Sequence, residues 1–165
     1  MPTLTAPLID AAHVLFMQSG VSMSIGGCDV GNNPWLSKAI GCRVAPDFCT
    51  VTVFAAASHS PELIAAIRQT GRISAVFSQP STHRTLQLKG KDARIAAAEA
   101  GDQAIVAAYR DAFVRELLPL GFDEGPIYAF LDCDAGDILR ISFSPCAAFT
   151  QTPGPHAGQP LQPRA

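Results

Sequence analysis

The sequence predicts a mainly β, α+β domain: a small antiparallel barrel, closed or half-closed, with helices on its flanks. Three observations predict it. Short β-prone runs recur along the chain, about six or seven of them, and most are joined directly in sequence. Helical segments with clear start and stop residues are inserted between them. The alternation is not the regular strand–helix–strand order of a doubly wound sheet, and no G-x-G-x-x-G or Walker-type glycine loop is present. A length of 165 residues suits a single core.

Residues 6–19 read as a helix, with Leu8, Ile9, Ala12, Leu15 and Phe16 on one face and Gly20 as its C-terminal cap. Residues 21–28 alternate through Val21, Met23 and Ile25 and read as a strand. The Gly- and Asn-rich run 26–34 is a turn. Residues 35–45 form a second strand, and Trp35 at its start suits the core or a dimer interface. After the tight Pro46-Asp47-Phe48 connection, residues 49–55 are the most β-prone run of the chain. These three strands read as an antiparallel meander.

The next helix is well punctuated. Ser60 is its N-cap, Pro61 its first residue, Glu62 lies in the first turn and Gly71 follows the last. Two strands follow, 73–78 and 85–89, and residues 91–97 extend the second past a bend at Gly90. Residues 102–118 form a longer helix ended by Pro119 and Gly121. Residues 124–132 fit either a short helix or a strand. Residues 137–144 alternate through Leu139, Ile141 and Phe143 as a final strand. Residues 1–149 thus make one domain. Residues 150–165, rich in Pro and Gly, read as an extended tail.

The stretch 72–90, RISAVFSQPSTHRTLQLKG, carries most of the chemistry. Between its two strands lie Ser78, Gln79, Ser81, Thr82, His83 and Arg84. Hydroxyls, backbone N–H groups and a guanidinium together suit a phosphate monoester. The same hydroxyls also suit a turn after Pro80, and the phosphate reading is the favoured one.

Composition removes several function classes. Net charge is −2 with no basic stripe, which argues against nucleic acid. No run of about 18 apolar residues exists to span a membrane, and the N-terminus lacks a secretory pattern, so the expected location is cytoplasmic. The five cysteines form no C-x-x-C pair and the four histidines are scattered, so neither a disulfide framework nor a zinc site is expected. The cysteines read instead as small buried thiols on strands. No G-x-S-x-G or nucleophile context supports a hydrolase. Hydrophobic residues make up 48% and charged residues 16%, a balance that favours a buried oligomer interface.

Four segments in order resemble the pyridoxamine 5'-phosphate oxidase-like, FMN-binding split-barrel family. They are GCRVAPDFCTVTVF (41–54), SPELIAAIRQTG (60–71), SQPSTHRTLQLKG (78–90) and FTQTPGP (149–155). The resemblance implies an antiparallel split β-barrel and a homodimer with FMN in a groove between subunits. It implies that Arg43 opens the flavin-facing strands and that Thr50, Val51, Thr52 and Phe54 line the ring. It places Ser78 and Gln79 near the ring or ribityl chain, and Ser81, Thr82, His83 and Arg84 on the phosphate. It also implies that Gln87 reaches toward the flavin and that Gln151, Thr152 and Pro153 close the site. The vitamin B6 oxidases of the family carry further basic residues for their substrate's phosphate near the C-terminus. Here that region offers only His156 and Arg164.

The expected function is therefore an FMN-dependent oxidoreductase acting on a small molecule, with the cofactor supplying the redox chemistry. The alternative is a flavin or haem carrier or sensor on the same fold, with a deazaflavin as a further cofactor option. A cofactor-free interaction protein is the third class.

Overall fold

Period-two burial sets the faces of the sheets. In β1 (Ser22–Cys28), β5 (Ile73–Ser78) and β6 (Thr85–Gly90), the apolar residues Met23, Ile25, Ile73, Ala75, Phe77, Leu86 and Leu88 point inward. Ser22, Ser24, Ser74, Val76, Ser78, Thr85, Gln87 and Lys89 point the other way and stay half-buried or exposed. The computed structural model describes residues 6–163. Arg164 and residues 1–5 of the N-terminal reading lie outside the described residues.

The remaining strands are β2 (Pro34–Lys38), β3 (Gly41–Val44), β4 (Val51–Ala56), β7 (Arg94–Ala97), β8 (Ile138–Phe143) and β9 (Ala147–Thr150). They form two antiparallel sheets, one of order β2-β1-β5-β6-β9 and one of order β3-β4-β8-β7. The inner faces share one apolar core, in which Phe54, Phe77, Phe143 and Ile141 are among the largest buried side chains. The fold is α+β with a split antiparallel barrel at its centre, as expected. The described residues hold nine strands rather than six or seven.

The chain passes between the sheets four times, and two of these passages depart from the expected elements. The expected strand 35–45 is really β2 plus β3. Ala39 N–H bonds Met23 O in one sheet (3.0 Å), and the next residue, Ile40, bonds Phe54 O in the other (2.8 Å). The hydrogen-bond partner changes between these two residues, so the expected three-strand meander is divided between two sheets. Likewise 91–97 does not extend β6. The chain turns after Gly90, and Arg94–Ala97 pairs with β8 in the second sheet. A Cβ on Gly90 would lie 2.5 Å from Phe143 Cδ2, so only glycine lets the sheets approach here.

Among the described residues, four α-helices flank the sheets: α1 (Ala11–Met17), α2 (Pro61–Thr70), α3 (Asp102–Leu117) and α4 (Glu124–Phe130). The ambiguous segment 124–132 is thus helical. α1 starts later than predicted, because Asp10 and His13 form a reciprocal capping box. Gly20 is not its cap. Gln18 is, and Gly20 instead lets the chain pass so close to α3 that a Cβ would meet Ala112 O at 2.2 Å. α2 is as predicted, with Pro61 in its first turn and Gly71 at φ 65° closing its end. Ser60 stands at the N-cap position but makes no side-chain cap bond. Its hydroxyl goes to Ser37 Oγ.

The C-terminal expectations need correction. β8 is not the final strand: β9 follows and pairs with β6. The Pro- and Gly-rich segment after it is not a free tail. Gly158 N–H returns to Thr150 O (2.7 Å) and Leu161 N–H to Ala148 O (2.8 Å), so residues 154–161 fold back along β9. All five cysteines are free. Cys42 is buried, but Cys146 is exposed and Cys49 and Cys133 lie off the strands, so the buried-strand reading holds for Cys42 alone. Burial pushes the Cys42 thiol pKa up, which makes it a poor nucleophile. Among the described residues, no helix is long and apolar enough to cross a membrane.

Candidate functional site

The outward face of the five-stranded sheet is the chemically distinctive surface. Register puts Leu36, Gly26, Ser74, Lys89 and Ala147 in one row across all five strands. The next row holds Lys38, Ser24, Val76, Gln87 and Phe149. A third holds Ser22, Ser78 and Thr85. The first row opens into a groove of about 840 Å³ at the end of the sheet. That volume suits a cofactor-sized ligand.

The groove has an apolar wall and a basic mouth. Trp35, Leu36, Pro34 and Ala147 supply apolar surface. Trp35 is 40% and Leu36 77% exposed, which leaves their surfaces free for contact. Gly26 forms part of the floor. A Cβ there would meet only Leu36 and the Trp35 carbonyl, at 3.5–3.6 Å, so the bare backbone leaves room for a flat group. Arg72, Lys89 and Lys91 line the groove, and no carboxylate does. Among the described residues, none of the three has a carboxylate within ion-pair distance.

Local structure holds these groups in place. The hairpin turn before β2 is tied to Asp29, whose Oδ1 accepts N–H bonds from Gly31 (2.8 Å) and Asn33 (3.0 Å). The Asn33 side chain, then its backbone N–H, holds the Asp29 carboxyl below its ordinary pKa. This turn fixes the start of β2 and with it Trp35. Arg72 Nη1 donates to Asn32 Oδ1 at 3.3 Å and lies 3.8 Å from Cys28 Sγ. Lys89 Nζ sits 5.4 Å from the centre of the Phe149 ring.

The residues singled out in the sequence fall in three places. Ser78, Gln87, Gln151 and Thr152 come together on the same outward face. Gln151 Nε2 donates to Gln87 Oε1 (2.9 Å), and Gln87 Nε2 donates to Ser74 Oγ at the groove (2.9 Å). Ser78 Oγ and Thr85 Oγ1 share a bond of 2.8 Å, and Thr85 N–H donates to Thr152 Oγ1 at 3.0 Å. Pro153 follows on the exposed side.

The loop 79–84 is a second place, where Ser81, Thr82 and the His83 N–H have hydrogen-bond partners within the protein. Ser81 donates both its N–H and its hydroxyl to the Glu116 carboxylate of α3. Thr82 Oγ1 donates to Gln79 Oε1 (2.8 Å). His83 takes φ 61° and donates its N–H to Gln79 O. The Arg84 guanidinium lies 4.4 Å over the Phe16 ring of α1.

The third place is the four-stranded sheet. Val51 and Phe54 are fully buried in the core. β4 is a central strand, so its backbone groups pair with β3 and β8 rather than facing outward. Thr52 Oγ1 shares a 2.8 Å bond with Ser142 Oγ, and Thr50 lies half-buried just before the strand. Arg43 Nη1 is 3.5 Å from Asp102 Oδ1. None of these residues lines the groove.

Sequence reasoning did not single out Leu36, Arg72, Ser74, Lys89 and Lys91, which line the groove. It placed Trp35 in a core or interface rather than beside a ligand space. The available signal was parity: Ser74 and Lys89 are the outward residues of alternating strands. Which strands lie side by side is a long-range fact that parity does not supply.

No protein-family model matches the sequence, and no curated protein matches it. Solved structures do. The HupZ protein of Group A Streptococcus aligns over 91% of this chain and 99% of its own, with TM-score 0.55 and 14% identity. An F420 reductase aligns over 85% and 98%, with TM-score 0.54 and 10% identity. A candidate pyridoxamine 5'-phosphate oxidase of Lactobacillus delbrueckii aligns over 90% and 97%, with TM-score 0.52 and 9% identity. At these identities the likeness is one of fold.

Proposed function

We propose that, on the fold shared with these proteins, the chain binds a flavin-type cofactor, FMN first, and uses it in redox chemistry on a small molecule. One observation carries the proposal: a groove of about 840 Å³ with an exposed Trp35–Leu36 wall, three cations and no carboxylate. A flavin mononucleotide has matching parts, a flat apolar ring and an anionic phosphate. Trp35 and Leu36 would flank the ring over Gly26, and Arg72, Lys89 and Lys91 would hold the phosphate. The Ser74–Gln87–Gln151 chain offers amide and hydroxyl partners for the polar groups between. When bound, the cofactor supplies hydride or electron transfer, and the protein supplies binding, orientation and charge. The names of the two oxidoreductases sharing the fold support this chemistry. A deazaflavin offers a comparable ring and anionic tail, so the F420 reductase keeps it as the second cofactor to try.

A homodimer belongs to the same proposal. The outward face of the five-stranded sheet is broad and half-exposed, with Val76 and Phe149 among its hydroxyls and amides. A second copy packed over it would bury those residues and wall the open side of the groove.

The test is an absorption spectrum of the purified protein before and after adding FMN, with excess removed by gel filtration. Retained flavin near one per chain is expected. Arg72→Met and Lys89→Met should each remove a charge-assisted contact of about 1.5–3 kcal/mol, a loss of roughly tenfold to a hundredfold in affinity. A protein that retains neither FMN nor a deazaflavin sinks the proposal.

A further inference from the structure

Lys38 lies on the same face but outside the groove, and neither the fold nor the flavin reading uses it. It ends β2 and sits directly opposite Ser24 of β1. A lysine on a strand usually runs its stem over apolar surface and leaves its ammonium in water. Lys38 does otherwise. It is half-buried, and Nζ turns back across β1 to donate to Ser22 Oγ at 2.5 Å. Among the described residues no carboxylate lies within ion-pair distance of it. Ser24, Ser22, Ser78 and Thr85 make this corner of the sheet hydroxyl-lined.

A cation without a counter-ion in such a place is poised to lose its proton. Burial holds the Lys38 ammonium below its ordinary pKa. The shift favours the free amine, which is the attacking form of a lysine, and the Ser22 hydroxyl bonded to Nζ gives that amine a fixed position on the sheet.

We propose that Lys38 is a reactive-amine site that condenses with small carbonyl compounds, aldehydes or α-oxo acids, entering from the Leu36 side of the face. The lone pair of neutral Nζ attacks the carbonyl carbon and the C–N bond forms. The π pair moves to oxygen, which takes a proton. The Ser22 hydroxyl, bonded to Nζ, is placed to relay the nitrogen's proton to that oxygen. The carbinolamine then loses water, and a C=N bond joins Lys38 to the ligand. No oxidant or reductant is consumed. The cations of the neighbouring groove favour carbonyl compounds that carry an anionic group, which is why an α-oxo acid is the first probe.

The chain has three lysines, Lys38, Lys89 and Lys91, so the two exposed ones are internal references. The experiment treats the full chain, without added cofactor, with limiting glyoxylate and cyanoborohydride near pH 7. Peptide mass mapping then reads the reduced adduct at each lysine. Lys38 is expected to be trapped at least tenfold faster than Lys89 or Lys91. In Lys38→Met the fast adduct should vanish while the other two label at their former rates. Labelling of Lys38 no faster than that of Lys89 and Lys91 in the parent overturns the inference. The result is independent of flavin binding, so either proposal can fail without the other.

Discussion

Gly90→Ala is expected to destabilise the protein by wedging the two sheets apart. The new methyl would lie 2.5 Å from Phe143 Cδ2 and 3.1 Å from its Cβ and Cγ. Comfortable carbon–carbon contact is about 3.5–4.0 Å, so the first of these is roughly an ångström too short. Phe143 is 2% exposed and sits among the core residues, so its ring has little free space into which to retreat. Overpacking of this kind costs about 1–3 kcal/mol. Replacing glycine also reduces the freedom of the unfolded chain, which returns about 0.4–1 kcal/mol. The net loss is about 1–2 kcal/mol, or about 2–8 °C in Tm for a chain of this size. Thermal unfolding of four proteins measures it: the parent, Gly90→Ala, Phe143→Leu and the double variant. If the clash is the cause, the smaller side chain relieves it, and the double variant loses less than the sum of the singles. Strict additivity, or a Gly90→Ala protein as stable as the parent, would refute the close approach of the sheets at this crossover.

Three further outcomes are expected. Arg84→Ala separates two placements of a bound phosphate: with its guanidinium over Phe16, it should leave FMN affinity within about threefold while Arg72→Met weakens it by roughly tenfold or more, measured by flavin fluorescence quenching. Asp102→Ala removes a fully buried carboxylate that accepts the Glu99 N–H (2.8 Å) and faces Arg140 Nε (3.3 Å), so urea denaturation should show a loss of about 3–5 kcal/mol. Lys38→Met should raise Tm at neutral pH. The folded protein binds this proton less tightly than the unfolded chain, so the charged lysine opposes folding below its folded-state pKa, and the variant's advantage should fade as pH rises toward about 10.4. An advantage that grows with pH would contradict the sign of the shift.

The elements legible in the sequence are those whose signals are local. Ser60, Pro61 and Gly71 bracket α2 because helix ends need particular backbone geometry at single residues. Ile73–Ser78 is read correctly because three inward and three outward residues alternate without interruption. The break between β2 and β3 leaves no such mark. Ala39 and Ile40 are adjacent and bond to different strands, so only the long-range pairing reveals it. β9 was hidden by composition: the Pro- and Gly-rich run that suggests a tail makes the turn that brings Leu161 back to Ala148.

The same distinction governs the candidate site. Hydroxyls and an arginine clustered within one loop are visible in a sequence, and the loop 79–84 drew attention for that reason. In the structure its donors serve Glu116, Gln79 and Phe16, which fix the loop against α1 and α3. The groove has no sequence cluster. Trp35, Arg72 and Lys89 come from separate parts of the chain and meet only because β1 lies between β2 and β5, and β6 beside β5. Each looks unremarkable alone: an exposed aromatic, a cation after a helix, a lysine on a strand. Their shared property is charge without a carboxylate partner and apolar surface left exposed, and that property is defined only once the neighbours are known. Lys38 repeats the pattern. Nothing adjacent in sequence marks it, and its significance comes from Ser22, sixteen residues earlier and one strand away.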